Sequence, residues 1–255
     1  MTYYSFLLGM GAVIGLLRLA RVTPRESRNS WLAVGLLIYL GALAVARLGY
    51  VFEHFDYFRR HLSQTLAFWT GGFTWQAGVI GAFVVLFILS IILRKSWRMM
   101  LDITAIILLP MSVTLWLGAW TEGLAYGAAA PEGAWWGFPS QDVFGAAALH
   151  LPVQLMAALS FLLVLGIVEA LTSKSKRRGV RGSLLWLAFS ALMLVFTLLR
   201  TDPAPNLLTL RIETWFAILF SGVFIFLTLG LYFASIPEKA NRLPLSVEEL
   251  KDEQV

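Results

Sequence analysis

A handful of polar side chains lie close to the ends of long apolar runs: Tyr4, Arg47, Gln76, Glu122, His150, Gln154 and Arg200. An imidazole such as His150 can shuttle a proton near neutral pH. Ionisable groups in membrane spans tend to face a bundle interior, a cavity or the surface. Singly, each has an ordinary reading. Arg47 can snorkel toward water, and His150, beside Pro152, can pack at a helix start. Together they bring polar or phenolic groups to one level on one side of the spans, which points to an outward-facing polar cavity. The stretch FWTGGFTWQAGVIG adds a glycine pair, Gly71 and Gly72, which permits a turn into a span and a close approach to a ligand. With 0 Cys, disulfides, thiolate metal sites and a cysteine nucleophile are excluded. His54, His61 and His150 have no zinc-motif spacing with carboxylates, so no metal and no cofactor is expected. The chain carries no G-x-S-x-G, no P-loop and no dinucleotide fingerprint.

These residues are positioned by membrane spans. The 255 residues are 58% hydrophobic and 14% charged, with mean hydropathy +0.75, far from the ~25% charged residues of soluble domains. Stretches of roughly 20 apolar residues occur at Tyr3–Ala20, Trp31–Val51, Phe73–Leu93, Met99–Trp120, Ala146–Leu171, Ser183–Leu199 and Thr214–Ile236. The expected fold is an all-α integral membrane protein, a seven-transmembrane-helix bundle over 1–236 with a charged cytoplasmic tail over 237–255. The N-terminal stretch lacks a basic leader region and reads as a retained first span.

Loop charge sets the expected orientation. Arg21, Arg25 and Arg28, then Arg94, Lys95 and Arg98, then Lys174, Lys176, Arg177, Arg178 and Arg181, then Lys239, Arg242 and Lys251 fall on one side. The other side has only Arg59, Arg60, Arg200 and Arg211. The N-terminus is therefore expected outside and the C-terminus in the cytoplasm, and the basic excess needs no nucleic-acid partner. Arg18 is expected to snorkel, and Asp102 and Glu169 to pair with basic inner loops. His54 to Gln64 reads as amphipathic and able to lie flat in the interface. The loop from Thr121 to Gly145 has no Lys or Arg and carries the interfacial aromatics Trp135, Trp136 and Phe138. In the tail, Ser246–Lys251 could form a short helix.

Five motifs in order resemble the prolipoprotein diacylglyceryl transferase family. ARLGYVFEHFDYF, from Ala46, is similar to the family's G-R-[LI]-G-Y-V-x-F-Y. The stretch from Phe68 to Gly81 is similar to W-x-G-G-[ML]-S-[FI]-H-G-G-[LI]-[LI]-G. Met100 to Gly127 aligns with D-x-[IV]-A-P-x-[IL]-P followed by G-R-[IL]-G-N-F-[IV]-N-x-E-x-[YW]-G. HLPVQL resembles R-H-P-[ST]-Q-L, and LLRTDPAPN resembles E-[FY]-[FL]-R-x-P-D. Arg47, Gly71, Gly72, Gly78, Gly118, Gly127, Gln154 and Arg200 match, and Tyr4 fits a tyrosine of the family's first span. The chain departs at Gln76 (histidine in the family), Ala77 (glycine), Trp116 (arginine), Ala119 (asparagine) and Leu124 (glutamate), and glutamates are missing within MAAL and near Phe196–Thr197.

The resemblance implies a bacterial cytoplasmic (plasma) membrane enzyme. It would move diacylglyceryl from phosphatidylglycerol to the lipobox cysteine of prolipoproteins, with the bilayer, phosphatidylglycerol and prolipoprotein signal peptides as partners. A thiolate attacks a glycerol carbon and glycerol phosphate leaves, which needs a way to favour thiolate and cations for the phosphate. Arginine suits the phosphate through its planar donors. On this reading Arg47, Arg200, Tyr4, Gln154, Gly71 and Gly72 bind substrate. His150, Glu122 and Gln76 are the catalytic candidates, although Gln76 cannot accept a full proton. The alternative is a catalytically inactive relative that binds phospholipid or lipidated protein. A transporter or scaffold fits less well, since no internal repeat is detectable.

Overall fold

The computed structural model describes residues 3–141, 145–175 and 177–234. The tail and its expected helix at Ser246–Lys251 lie outside the described residues, as does Ile236. Among the described residues, seven helices are long and apolar enough to cross a membrane. In chain order the helices are α1 (Tyr3–Val22), α2 (Arg28–Glu53), α3 (Phe55–Phe58), α4 (Trp75–Ile92), α5 (Trp97–Thr104), α6 (Leu108–Thr121), α7 (Val153–Thr172), α8 (Val180–Leu199) and α9 (Ile212–Ala234). Together α5 and α6 make one span. Short strands β1 (Phe138–Gln141), β2 (Ala147–His150), β3 (Asn206–Leu207) and β4 (Leu210–Arg211) form two antiparallel hairpins. Such ladders suit a level where strand edges can meet water.

Helix α2 packs on α4, α1 on α6, and α8 on α9 and α7. Small residues allow the close approaches, as is usual between membrane helices. A Cβ at Gly11 would meet Thr114 Oγ1 of α6 at 2.0 Å. The core is aromatic: Trp116 stacks on Phe161 at 6.4 Å, and Trp186 on Phe224 at 5.7 Å.

The fourth span is not one continuous α-helix, and Pro110 explains the break. Pro110 has no N–H, so the carbonyl of Ile106 loses its helical partner. The chain passes through a 3₁₀ turn, Ala105–Ile107, and Arg18 Nη1 donates to the freed Ile106 oxygen at 3.1 Å. Arg18 is thus not simply snorkelling. It also binds Glu169 at 2.6 Å, and Glu169 binds Arg181 of the basic loop side at 3.1 Å, the pairing expected for Glu169. Asp102 instead accepts backbone N–H groups, from Gly179 at 2.5 Å and Gly182 at 2.7 Å, satisfying orphan donors at the α8 start.

Three expectations need correction. The fifth span opens at Val153, not Ala146: Pro152 pushes Leu151 out of the helical region, and Ala147–His150 is a strand, so His150 is not in a first helical turn. The sixth span is longer than expected, beginning at Val180. The stretch from His54 to Gln64 is not one amphipathic helix. Helix α3 stops at Phe58, and a 3₁₀ turn at Leu62–Gln64 follows. Phe58 is buried, while Phe55 and Leu62 are exposed.

Candidate functional site

All the singled-out residues except Arg18, Asp102 and Glu169 lie at the end of the bundle where α1 begins and α2 finishes; we call this the Tyr4 end. Arg47, on the last turns of α2, is 3% exposed. Its guanidinium donates to four backbone carbonyls of the following loop: Gln64 at 2.6 Å, Thr65 at 3.0 Å, Gly72 at 3.2 Å, and Gly71. It also lies 5.3 Å from the Phe58 ring centroid, a cation–π distance. Gly72 has φ +75, and a Cβ there would meet the Tyr50 ring at 2.5 Å and Arg47 Nη1 at 2.8 Å. Glycine is therefore required twice over at Gly72, for its backbone angle and for its space. Arg47 and the glycine pair form one unit, a loop fastened across the α2 end.

Arg200 follows the last residue of α8 and is held by carboxylates. Its Nε and Nη2 bind Asp202 at 3.0 and 2.7 Å, and Nη1 binds Glu213 at 2.6 Å. Arg211 joins through the Asp202 carbonyl at 2.6 Å and its carboxylate at 3.3 Å. Burial alone disfavours both charges. The hydrogen bonds and charges of the partners outweigh it, so Arg200 holds its proton more tightly than usual. For the same reason the Asp202 carboxyl is held below the usual carboxylate range by Arg200 and Arg211. Two cations facing two carboxylates leave the quartet formally neutral. Arg211 Nη2 and Nε lie at ion-pair distance from Asp202 and Glu213, 3.3 and 3.8 Å, but make no hydrogen bond among the described residues.

Tyr4 lies within electrostatic range of Arg200, and its backbone N–H donates to Glu122 Oε1 at 3.3 Å. It also lines a cavity of about 170 Å³ between α1, α2, α4, α6 and α8. Along α2 the lining runs from Gly35 to Ala46, ~16 Å at 1.5 Å per residue, about half of a bilayer's ~30 Å hydrocarbon core. The wall is apolar: the hydroxyls of Thr74, Thr104 and Ser112 are tied to backbone carbonyls at 3.3, 2.7 and 2.7 Å.

Gln76, in the first turn of α4 and 4% exposed, donates through Nε2 to Glu53 Oε1 at 2.8 Å. Glu53 in turn lies within electrostatic range of Glu213. The structure joins Arg200, Asp202, Arg211 and Glu213 in one ion-pair cluster and Gln76 to Glu53, with Tyr4 and Glu53 in electrostatic range of that cluster; we call these polar groups the crown. It does not bring His150 there. His150 is 7% exposed, with Nδ1 3.0 Å from Ser140 Oγ and its ring 4.7 Å from that of Tyr126. The segment around Gly127 separates it from Arg200, pairing with both, a span of two strand spacings or ~10 Å. Gln154, 1% exposed, fixes the loop after α6 by donating to the Leu124 carbonyl at 2.8 Å. Glu122 is engaged at the α1 start. Among the described residues no group of three or more His, Asp or Glu side chains could hold a metal ion.

Sequence reading passed over Glu53, Asp202, Arg211 and Glu213. Asp202 lies two residues after Arg200 in RTDP and Glu213 two after Arg211 in RIE, so charge alternation at the mouth of the last span was the available signal. Trp116, where the resembling family has arginine, is 2% exposed and packs on Phe161 and Phe196 at 6.4 and 5.8 Å. That position is an aromatic core here, not part of the crown.

Comparison with known proteins agrees with this architecture. The family model for prolipoprotein diacylglyceryl transferase matches residues 1–233. A phosphatidylglycerol–prolipoprotein diacylglyceryl transferase of Bacillus licheniformis is 29% identical over 117 residues, 45% of this chain and 43% of that protein. One from Streptococcus uberis is 31% identical over 88 residues, 34% of each chain. One from Streptococcus pneumoniae is 27% identical over 230 residues, 87% of this chain and 86% of that protein. The first two alignments thus cover less than half of the relatives' length, whereas the third is nearly full. With seven apolar helices and a match across almost all described residues, the chain is a multi-pass membrane protein that belongs to the prolipoprotein diacylglyceryl transferase family.

Proposed function

We propose that this protein transfers diacylglyceryl from phosphatidylglycerol to the lipobox cysteine of a prolipoprotein in the bacterial plasma membrane. The N-terminus and the Tyr4 end face outward, and the tail faces the cytoplasm. One observation carries the reading: the apolar cavity, about half a bilayer deep, ends at Tyr4, which is in electrostatic range of Arg200. The upper part of an acyl chain can enter the cavity, and the phosphate then sits at the crown. Arg200 offers planar donors to the phosphate and stabilises the charge that develops as glycerol phosphate leaves. Arg211 stands behind it as a second cation. Arg47 serves the site by fastening Gly71 and Gly72. Gln154 and Glu122 position the loop after α6 and the α1 start. His150 acts from the neighbouring strand, where its imidazole can relay a proton to solvent.

The test is purified protein in phosphatidylglycerol nanodiscs with a lipobox peptide, followed by mass spectrometry. The expected product is peptide heavier by one diacylglyceryl group. Bound phosphatidylglycerol with no peptide product overturns the transferase reading and leaves a lipid-binding relative.

A further inference from the structure

We propose that Glu53, positioned by Gln76, is the general base that takes the proton from the incoming thiol. The inference rests on the transferase reading above. An amide cannot accept a full proton at neutral pH, so Gln76 does not do this work itself. What it does in the structure is donate from Nε2 to Glu53 Oε1 at 2.8 Å. No other hydrogen bond engages the Glu53 carboxylate among the described residues, and the residue is exposed. One carboxylate oxygen is therefore fixed and the other is available. In the motif that ARLGYVFEH resembles, this position is phenylalanine, and the position of Gln76 is histidine. In this chain the proton acceptor stands on the facing helix.

The placement suits the role. Ala42 and Ala46 line the cavity, and Glu53 follows Ala46 by two helical turns on the same α2 face, ~10 Å further out. That is the height of the crown, above an acyl chain and beside the headgroup. Gln76 Oε1 is buried with no hydrogen-bond partner among the described residues. The groups facing Glu53 are Gln76 from α4 and Glu213 from α9, with His54 next in the chain. Glu213 in turn holds Arg200.

The step balances as follows. Glu53 takes the S–H proton, and sulfur forms a bond to the glyceryl carbon. The C–O bond to phosphate breaks, and its electron pair leaves on glycerol phosphate beside Arg200. The proton then passes to that phosphate or to water, and Glu53 is reset.

The experiment compares wild type and Glu53→Gln in the nanodisc assay from pH 6.5 to pH 9. Glutamine keeps an oxygen for Gln76, so the fold and phosphatidylglycerol binding should be retained. The expected turnover is ~10²–10⁴-fold lower, the usual scale for losing a general base. The deficit should shrink toward pH 9 as the thiol, with pKa near 8.5, ionises unaided. Gln76→Leu, which loses only the positioning, should cost less than Glu53→Gln. Turnover equal to wild type overturns the proposal. So does a loss of turnover that parallels a loss of lipid binding and does not vary with pH. If wild type itself makes no product, it is the transferase reading that fails, which separates the two.

Discussion

Replacing Glu213 with glutamine should tighten binding of the lipid headgroup while weakening the fold. Glu213 Oε2 sits 2.6 Å from Arg200 Nη1, with the two side chains 23% and 12% exposed. A lipid phosphate that takes this donor must displace the carboxylate. Glutamine still accepts from the charged guanidinium, so what the substitution removes is the charge–charge part of the pair, ~1 kcal/mol where solvent partly screens it. Glutamine is then the weaker competitor by ~1 kcal/mol, which corresponds to about fivefold in affinity. Removing its negative charge from beside an incoming phosphate acts in the same direction. The assay is titration of detergent-solubilised wild type and Glu213→Gln with short-chain phosphatidylglycerol by calorimetry, at fixed ionic strength. Thermal unfolding of the empty proteins reports the stability loss. Unchanged or weaker binding by the variant would refute the reasoning, because Arg200 would not then be the cation that meets the headgroup.

Other outcomes follow from the same geometry. Asp202 is held below the usual carboxylate range by Arg200 and Arg211. Its stabilising contribution is therefore fully present above the unfolded value of ~3.9 and is lost as pH falls through the lower folded value. The gap in melting temperature between wild type and Asp202→Asn should hold from pH 7 to about pH 5 and narrow below pH 4; a constant gap refutes the assignment. Glu169→Gln removes the carboxylate shared by Arg18 and Arg181 and should destabilise by ~3 kcal/mol, the lower end for breaking a buried pair, read from the unfolding midpoint. Gly72→Ala, at φ +75 and against Tyr50, should loosen the Arg47-fastened loop. Limited proteolysis between Gln64 and Gly72 should then speed up, and phosphatidylglycerol binding should weaken.

Much of the fold was legible because bilayer spans announce themselves in one dimension. Continuous apolar runs fixed the positions of all seven helices to within a few residues, with one larger shift. That shift, at Ala146–Pro152, came from a local rule that can be read either way: Pro152 suits a helix start, yet it also keeps Leu151 extended, and the strand before it found a partner in β1. The helical break before Pro110 was readable in principle, since a proline always frees the carbonyl four residues earlier. That Arg18, remote in sequence, answers this carbonyl could not be read. The candidate site was harder for the same reason. Depth along a span follows from counting residues, so Tyr4, Gln76 and Arg200 could be placed at one level. Which way each points around its helix depends on the packing of α2 on α4 and α8 on α9. That packing turned Arg47 into a loop fastener and brought Glu53, a residue of unremarkable sequence context, to Gln76 and Glu213 to Arg200.

The central claim is that this chain remains a working transferase with glutamine at Gln76 and tryptophan at Trp116. The most direct measurement is a single reaction of protein, phosphatidylglycerol and lipobox peptide in which thioether-linked peptide and free glycerol phosphate are both quantified by mass spectrometry. The account predicts that the two form in equal amounts with wild type, and that both fall together by at least about a hundredfold with Arg200→Ala, the scale seen when a group stabilising transition-state charge is removed. Neither product forming, in nanodiscs where phosphatidylglycerol is demonstrably bound, would contradict it.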